Sequence, residues 1–241
     1  MADYFNTALV VLLASCLHSA TGFGFSILAV PLLLLLHSPL TAVQINLILA
    51  VILSVVMIPR VKADVDFTLL KRLVVSGAIG VPVGMALILY VQPVQLKLAI
   101  ALLTLAFLIA LLVQVRFQRN DSRDAVCGAI AGAFTSAVGM GGVPLLVYFA
   151  GVNLPKAVVR ATVLAFFVFA YGLALVMQLW NASGIAHVVW FSLSLVPMAL
   201  LGVACGNWLF SRISQRVFRL LIYLILGTNS SFLLWSLRSS W

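Results

Sequence analysis

Arg160 is the residue whose type and position most invite chemistry. It lies five residues after Pro155, at the head of a long apolar run, with no acidic residue near it in sequence. A cation there opposes the positive end of the helix macrodipole. It also carries a desolvation cost unless it meets a partner or snorkels to the membrane surface. An anionic ligand is the partner this setting calls for; a cytoplasmic anchoring charge is the alternative. Gln44 and Asn46 occupy the matching stretch of the first half of the chain, and Thr162 lies near Arg160. Together they form a candidate polar lining.

Two glycine clusters interrupt stretches that otherwise read as helix. Gly22-Phe23-Gly24 breaks residues 4–36, and Gly139-Met140-Gly141-Gly142 breaks residues 125–150. A break at membrane depth is tolerated only where protein or a water-filled cavity receives the freed backbone groups. Glycine lets the backbone turn and lets a ligand approach closely. Each helix that resumes after a break aims its N-terminus, with its N–H donors, at the break, which suits an anion. Ser19, Thr21, Ser26, Thr135 and Ser136 add hydroxyls beside these turns. The alternative is that the glycines serve close helix packing. That is the reading for Ser76-Gly80-Gly84, Gly128-Gly132 and Gly202-Gly206. His18, at the first break, is the candidate for proton coupling, with a hydrogen-bonded structural role as the alternative. The sequence holds no metal-ligand cluster, nucleophile triad or P-loop. No cofactor, metal or catalytic residue is therefore expected. Cys16, Cys127 and Cys205 lie far apart inside apolar segments and read as small buried side chains.

The elements that must position these residues follow from composition. The chain has 241 residues, 64% hydrophobic and 8% charged, with 5 acidic residues, all Asp. A soluble domain carries about 25% charged residues, so an ordinary soluble enzyme or binding module is excluded. Disorder is excluded by the same hydrophobicity. The net charge of +9 does not indicate nucleic acid, because the basic residues sit in short links between apolar runs. The fold class is an all-α polytopic membrane protein. Spans of about 20 apolar residues fall near 40–59, 73–91, 95–115, 157–179, 186–209 and 217–236, beside the two broken segments. Pro39 and Pro155 suit a helix first turn, Pro59 and Pro93 suit helix ends, and Pro82 and Pro197 should kink their spans.

The two broken segments begin two similar halves, about 1–117 and 125–241, within one transmembrane domain spanning 1–241. Pro39 answers Pro155, Gln44-Ile45-Asn46 answers Arg160-Ala161-Thr162, Pro82 answers Pro197, and Leu96-Lys97-Leu98 answers Phe218-Arg219-Leu220. Charge then sets the arrangement. If each broken segment crossed once, Arg60, Lys62, Lys71, Arg72, Arg116, Arg119, Arg123 and Arg238 would face the remaining six basic residues across the membrane. If each enters and returns, all 14 basic residues except Lys97 and Arg238 share one side. The positive-inside rule prefers the second arrangement. It makes the halves inverted repeats, a common transporter design, and places both termini outside the cytoplasm.

Gly22-Phe23-Gly24-Phe25-Ser26-Ile27-Leu28-Ala29-Val30-Pro31 resembles the glycine-rich first motif of the TauE/SafE family of sulfite and organosulfonate permeases. Gly139-Met140-Gly141-Gly142-Val143-Pro144-Leu145-Leu146 resembles its second. Leu154-Pro155-Lys156 with Arg160-Ala161-Thr162, and Phe218-Arg219-Leu220, are similar to the segments that follow, so the likeness covers nearly the whole chain. The first motif departs at Phe25-Ser26, where many members continue with glycine. The resemblance implies a transporter of small sulfur-containing anions in a bacterial inner membrane, often an exporter, and not an enzyme. On this reading two broken hairpins meet near the midplane. Gly22, Gly24, Ser26, Ser136, Gly139, Gly141 and Gly142 contact the anion, Arg160 supplies charge, and Gln44, Asn46 and Thr162 orient it. The expected partners are that anion and membrane lipid, with a second copy of the chain as a candidate and no nucleic acid. The alternatives are a channel for small anionic or neutral solutes, and a membrane subunit serving a partner enzyme.

Overall fold

The computed structural model describes residues 2–22, 24–113, 119–152, 154–181 and 185–210, and among them there is helix and no strand. The helices are α1 (Ala2–Thr21), α2 (Gly24–Leu33), α3 (Pro39–Val61), α4 (Phe67–Leu89), α5 (Pro93–Val113), α6 (Asp121–Val138), α7 (Gly142–Gly151), α8 (Lys156–Asn181), α9 (Ile185–Ser194) and α10 (Val196–Phe210). The expected last span at 217–236, with Arg116, Arg212, Arg216, Arg219 and Arg238, lies outside the described residues.

Local chemistry sets the helix ends. Ser38 caps α3 through its side chain, and Pro39 follows at the first turn, where a missing N–H has no cost. Asp66 and Asn120 cap α4 and α6 in the same way, accepting from Leu69 and Arg123 N–H. Among the described residues three helices are long and apolar enough to cross a membrane, within Pro39–Asp64, Phe67–Ile88 and Lys156–Trp180. Taken together α9 and α10 are long and apolar enough for a further, broken span or a re-entrant loop, bent by 42° at the break between them. Pro197, the second residue of α10, explains the bend, because its ring and missing N–H oppose a helix running through from Leu193. Pro82 is accommodated inside α4, which runs on as one helix.

At the centre α3 packs against α8, and the largest flanking interfaces are α4 with α6 and α1 with α10. Of the three long spans, α3 is the most enclosed, with 67% of its apolar window buried. Lipid is as apolar as leucine, so these interfaces rely on close approach rather than on a hydrophobic drive. The glycines read as packing residues do this. A side chain at Gly80 or Gly84 would strike the Ala129 or Ala133 carbonyl of α6. A side chain at Gly202 or Gly206 would strike the Leu12 or Cys16 carbonyl of α1. Ser136 stands over Gly84 and Ser19 over Gly206 in the same manner. Ser136 also donates from its hydroxyl to the Val81 carbonyl at 2.7 Å, tying α6 to α4.

Each broken segment folds back on itself. At the far end of α2, His37 Nε2 lies 2.8 Å from Thr7 Oγ1 near the start of α1. Because Thr7 donates its own proton to the Asp3 carbonyl, His37 is the donor in that pair. At the far end of α7, Tyr148 donates to Asp124 Oδ1 at 2.8 Å near the start of α6. The return point is a left-handed glycine in both, Gly22 at φ 85° and Gly139 at φ 73°. That backbone costs other L-residues about 1–2 kcal/mol.

Candidate functional site

The first break is built by α1, α2 and α8. Gly22 N–H donates to the His18 carbonyl at 2.7 Å, which closes α1 and turns the chain into α2. Against this turn lies Arg160. A Cβ at Gly22 would sit 2.7 Å from Arg160 Cγ and 3.4 Å from its Cα, so only glycine admits α8 this closely. Arg160 Nε is buried and has no hydrogen-bond partner among the described residues. His18 is 1% exposed, and neither ring nitrogen has a partner among the described residues. Its ring lies edge-on to Phe25, in the first turn of α2, with centroids 6.2 Å apart. Ser26, also in that turn, shares a 2.6 Å hydrogen bond with the buried Tyr171 hydroxyl of α8. The first break thus gathers Gly22, Gly24, Ser26, His18 and Arg160 around a helix N-terminus rich in donors.

The second break is built by α6, α7 and α3. Asn46 donates from Nδ2 to the Gly139 carbonyl at 2.9 Å, while its Oδ1 is buried without a partner among the described residues. Gly141 lies tight against Thr135 Oγ1 and the Ala131 carbonyl, and Gly142 opens α7. The two breaks do not converge at one point. Gly139 packs beside Val30 of α2. Val30 lies six residues from Gly24, about 9 Å along the helix. The offset arises because each short helix starts at its own break and runs away from it.

Two of the polar residues read as lining face elsewhere. Thr162 is buried and accepts a hydrogen bond from Asp66 N–H at 3.0 Å, fastening the α3–α4 link to α8. Two residues beyond Arg160 is about 200° around the helix, which accounts for this. Val43 and Asn46 both face Gly139. That turns the adjacent Gln44, which is buried, about 100° away from Val43.

A second polar cluster was not singled out in the sequence. Asp124 is fully buried and meets Arg72 Nη1 and Arg119 Nε, both at 3.2 Å, as well as Tyr148. Arg72 also pairs with Asp121 at 2.8 Å and Arg119 with Asp66 at 3.4 Å. Burial alone would lower the Arg119 guanidinium; its bonds to Asp124 and Asp66 outweigh that and raise it. The cluster joins α4, α6, α7 and the α3–α4 link at the end of the molecule that carries the basic links. Among the described residues no group of three or more His, Cys or Asp is placed to hold a metal.

Two glycine-broken helices folding back on themselves, each glycine faced by a polar residue of a central span, are now in place. The sequence model named Sulfite exporter TauE/SafE matches residues 7–232. The chain belongs to the TauE/SafE family. No curated protein and no solved structure matches it. TauE/SafE chains are membrane transporters of sulfite-type anions rather than enzymes. This TauE/SafE chain places Arg160 of α8 at the first break and Asn46 of α3 at the second.

Proposed function

We propose that this chain is a secondary transporter, in the exporting direction, of small sulfur-containing oxyanions such as sulfite or organosulfonates. The observation that carries the proposal is Arg160, with a buried, unpartnered Nε, pressed against the glycine turn that opens α2. A fixed guanidinium and a helix N-terminus are complementary to a compact oxyanion. Gly22, Gly24 and Ser26 bring the backbone and a hydroxyl to it. His18 is the nearest titratable group and the proposed proton carrier. Gly139, Gly141, Gly142 and Asn46 form the corresponding second station; Ser136, read as lining, instead ties α6 to α4, and Gln44 and Thr162 support α3 and α8 from other faces.

Transport proceeds, on this reading, by rocking of two inverted repeats, residues 1–117 and 125–241, within one domain. Its support is that exchange of the halves matches α1 with α6, α2 with α7, α3 with α8, and α4 with α9–α10. The α4–α6 interface is then answered by α10–α1, glycine for glycine and serine for serine. The basic links mark the cytoplasmic face of an inner membrane, with both termini outside. The bulky exposed side chains Tyr90, Trp180 and Trp190 lie toward the opposite face, where an aromatic belt belongs.

The test is counterflow in proteoliposomes holding the purified chain, with sulfite, thiosulfate, sulfoacetate and taurine as the panel. A carrier shows trans-stimulation by at least one of these. Saturable binding with no trans-stimulation would point to a channel, and inertness of the purified chain to a subunit role.

A further inference from the structure

Gln178 is 2% exposed, yet among the described residues neither its amide nitrogen nor its amide oxygen has a hydrogen-bond partner. An unpaired buried amide costs stability wherever it is placed, so its retention in a central helix asks for a purpose. Its register supplies one. Gln178 follows Arg160 by 18 residues, five whole turns of helix, so the two lie on one face of α8. Tyr171 lies within about 20° of the same line. Burial bears out the register: Phe167, Tyr171, Ala174 and Gln178 are enclosed, while Val176, Leu179 and Trp180 are exposed. The face covers about 27 Å of rise between its two polar ends, close to the hydrocarbon thickness of about 30 Å.

We infer that this face of α8 is the anion's route, and that Gln178 is the contact that receives the anion at the end opposite Arg160. The inference rests on the proposed transport of an oxyanion and adds to its two glycine-break stations a third, at the far end of α8. The two stations on α8 differ in chemistry. Arg160 offers donors alone, whereas an amide offers a donor and an acceptor. Gln178 therefore suits an oxyanion that carries a proton as well as one that does not. Between them the face is closed by the Phe167 and Tyr171 rings, whose centroids are 4.9 Å apart. Tyr171 is bonded to Ser26 in the first turn of α2. A movement of α2 against α8 would thus part the aromatic closure and connect the stations.

Sulfite flux in right-side-out and inside-out membrane vesicles tests this, with Gln178→Glu and Gln178→Asn beside the unaltered protein. Glu keeps the shape and repels an anion; Asn keeps the amide but withdraws it. Half-saturation from the face near Gln178 should rise about tenfold or more for Gln178→Glu. From the Arg160 face it should stay within about twofold, and Gln178→Asn should fall between the two. Thermal unfolding in detergent confirms that both variants are folded. Equal half-saturation on both faces, whether unchanged or raised together, would overturn the inference while leaving the transport reading intact. A failure of the unaltered protein to move sulfite would instead strike the transport reading itself.

Discussion

Gly22→Ala separates the two things that glycine does at the first break. The backbone there has φ 85°, so any side chain costs about 1–2 kcal/mol of stability. The added Cβ would also meet Arg160 Cγ at 2.7 Å, with the Arg160 Cα only 3.4 Å away. The backbone of α8 is held by its packing on α3, so the guanidinium stem must move instead. A hydrogen bond to a charged group contributes about 1.5–3 kcal/mol. Its loss weakens binding roughly 10- to 150-fold. Gly139→Ala is the matched control: its φ of 73° brings the same backbone cost, but its Cβ meets Asn46 Nδ2 at 3.1 Å and leaves Arg160 untouched. Gly172→Ala is the second control, because nothing lies within 4 Å of its Cβ. It should be neutral or gain about 0.5–1 kcal/mol as a helix-interior replacement. Sulfite affinity by isothermal titration and thermal unfolding in detergent give both readouts. The expected pattern is that Gly22→Ala and Gly139→Ala lose similar stability, that Gly22→Ala loses affinity by tenfold or more, and that Gly139→Ala, which disturbs Asn46 and not Arg160, loses less. Unaltered affinity in a folded Gly22→Ala protein would refute the argument that Arg160 is seated by this turn.

Asp124→Asn removes the shared partner of Arg72 and Arg119, both of which keep partial access to water. A loss of about 2–3 kcal/mol is expected, below that for a fully buried pair, and is read as a lowered unfolding temperature. Gly206→Leu should be far more damaging than Gly172→Ala, because it drives a side chain into the Cys16 carbonyl and Ser19. Overpacking of this kind costs about 1–3 kcal/mol or more, and loss of the folded fraction on size exclusion reports it. Burial holds His37 below its ordinary value of 6.5, against the opposing pull of Asp3. The unfolded chain therefore takes up this proton first. The stability contribution is fully present above that value and declines as the pH falls below it. A pH series of unfolding temperatures should show this slope, and His37→Gln should flatten it.

The breaks were legible in the sequence because a left-handed turn inside an apolar run leaves glycine as the ready choice, and Gly22 and Gly139 stand where such turns were expected. The packing glycines were legible from their four-residue spacing, and the start of α3 from Ser38-Pro39. What the sequence did not disclose depends on rotation and on distance along the chain. Thr162 stands beside Arg160 in sequence but points to the α3–α4 link, because two residues carry it past half a helical turn. Tyr171 meets Ser26 from 145 residues away, and nothing local marks either as the other's partner. Nothing local to Asp121 and Asp124 marks their partners, Arg72 and Arg119. That pairing lets Asp124 lie buried in the first turn of α6.

The central claim is that Arg160 at the first break holds the transported anion. Binding of sulfite to purified Arg160→Ala, compared with the unaltered protein at matched folded fraction, tests it most directly. The account requires saturable binding by the unaltered protein and its loss in the variant, with the unfolding temperature little changed in the absence of sulfite. Equal affinity in the two proteins would contradict it and return Arg160 to the role of a membrane-surface anchor.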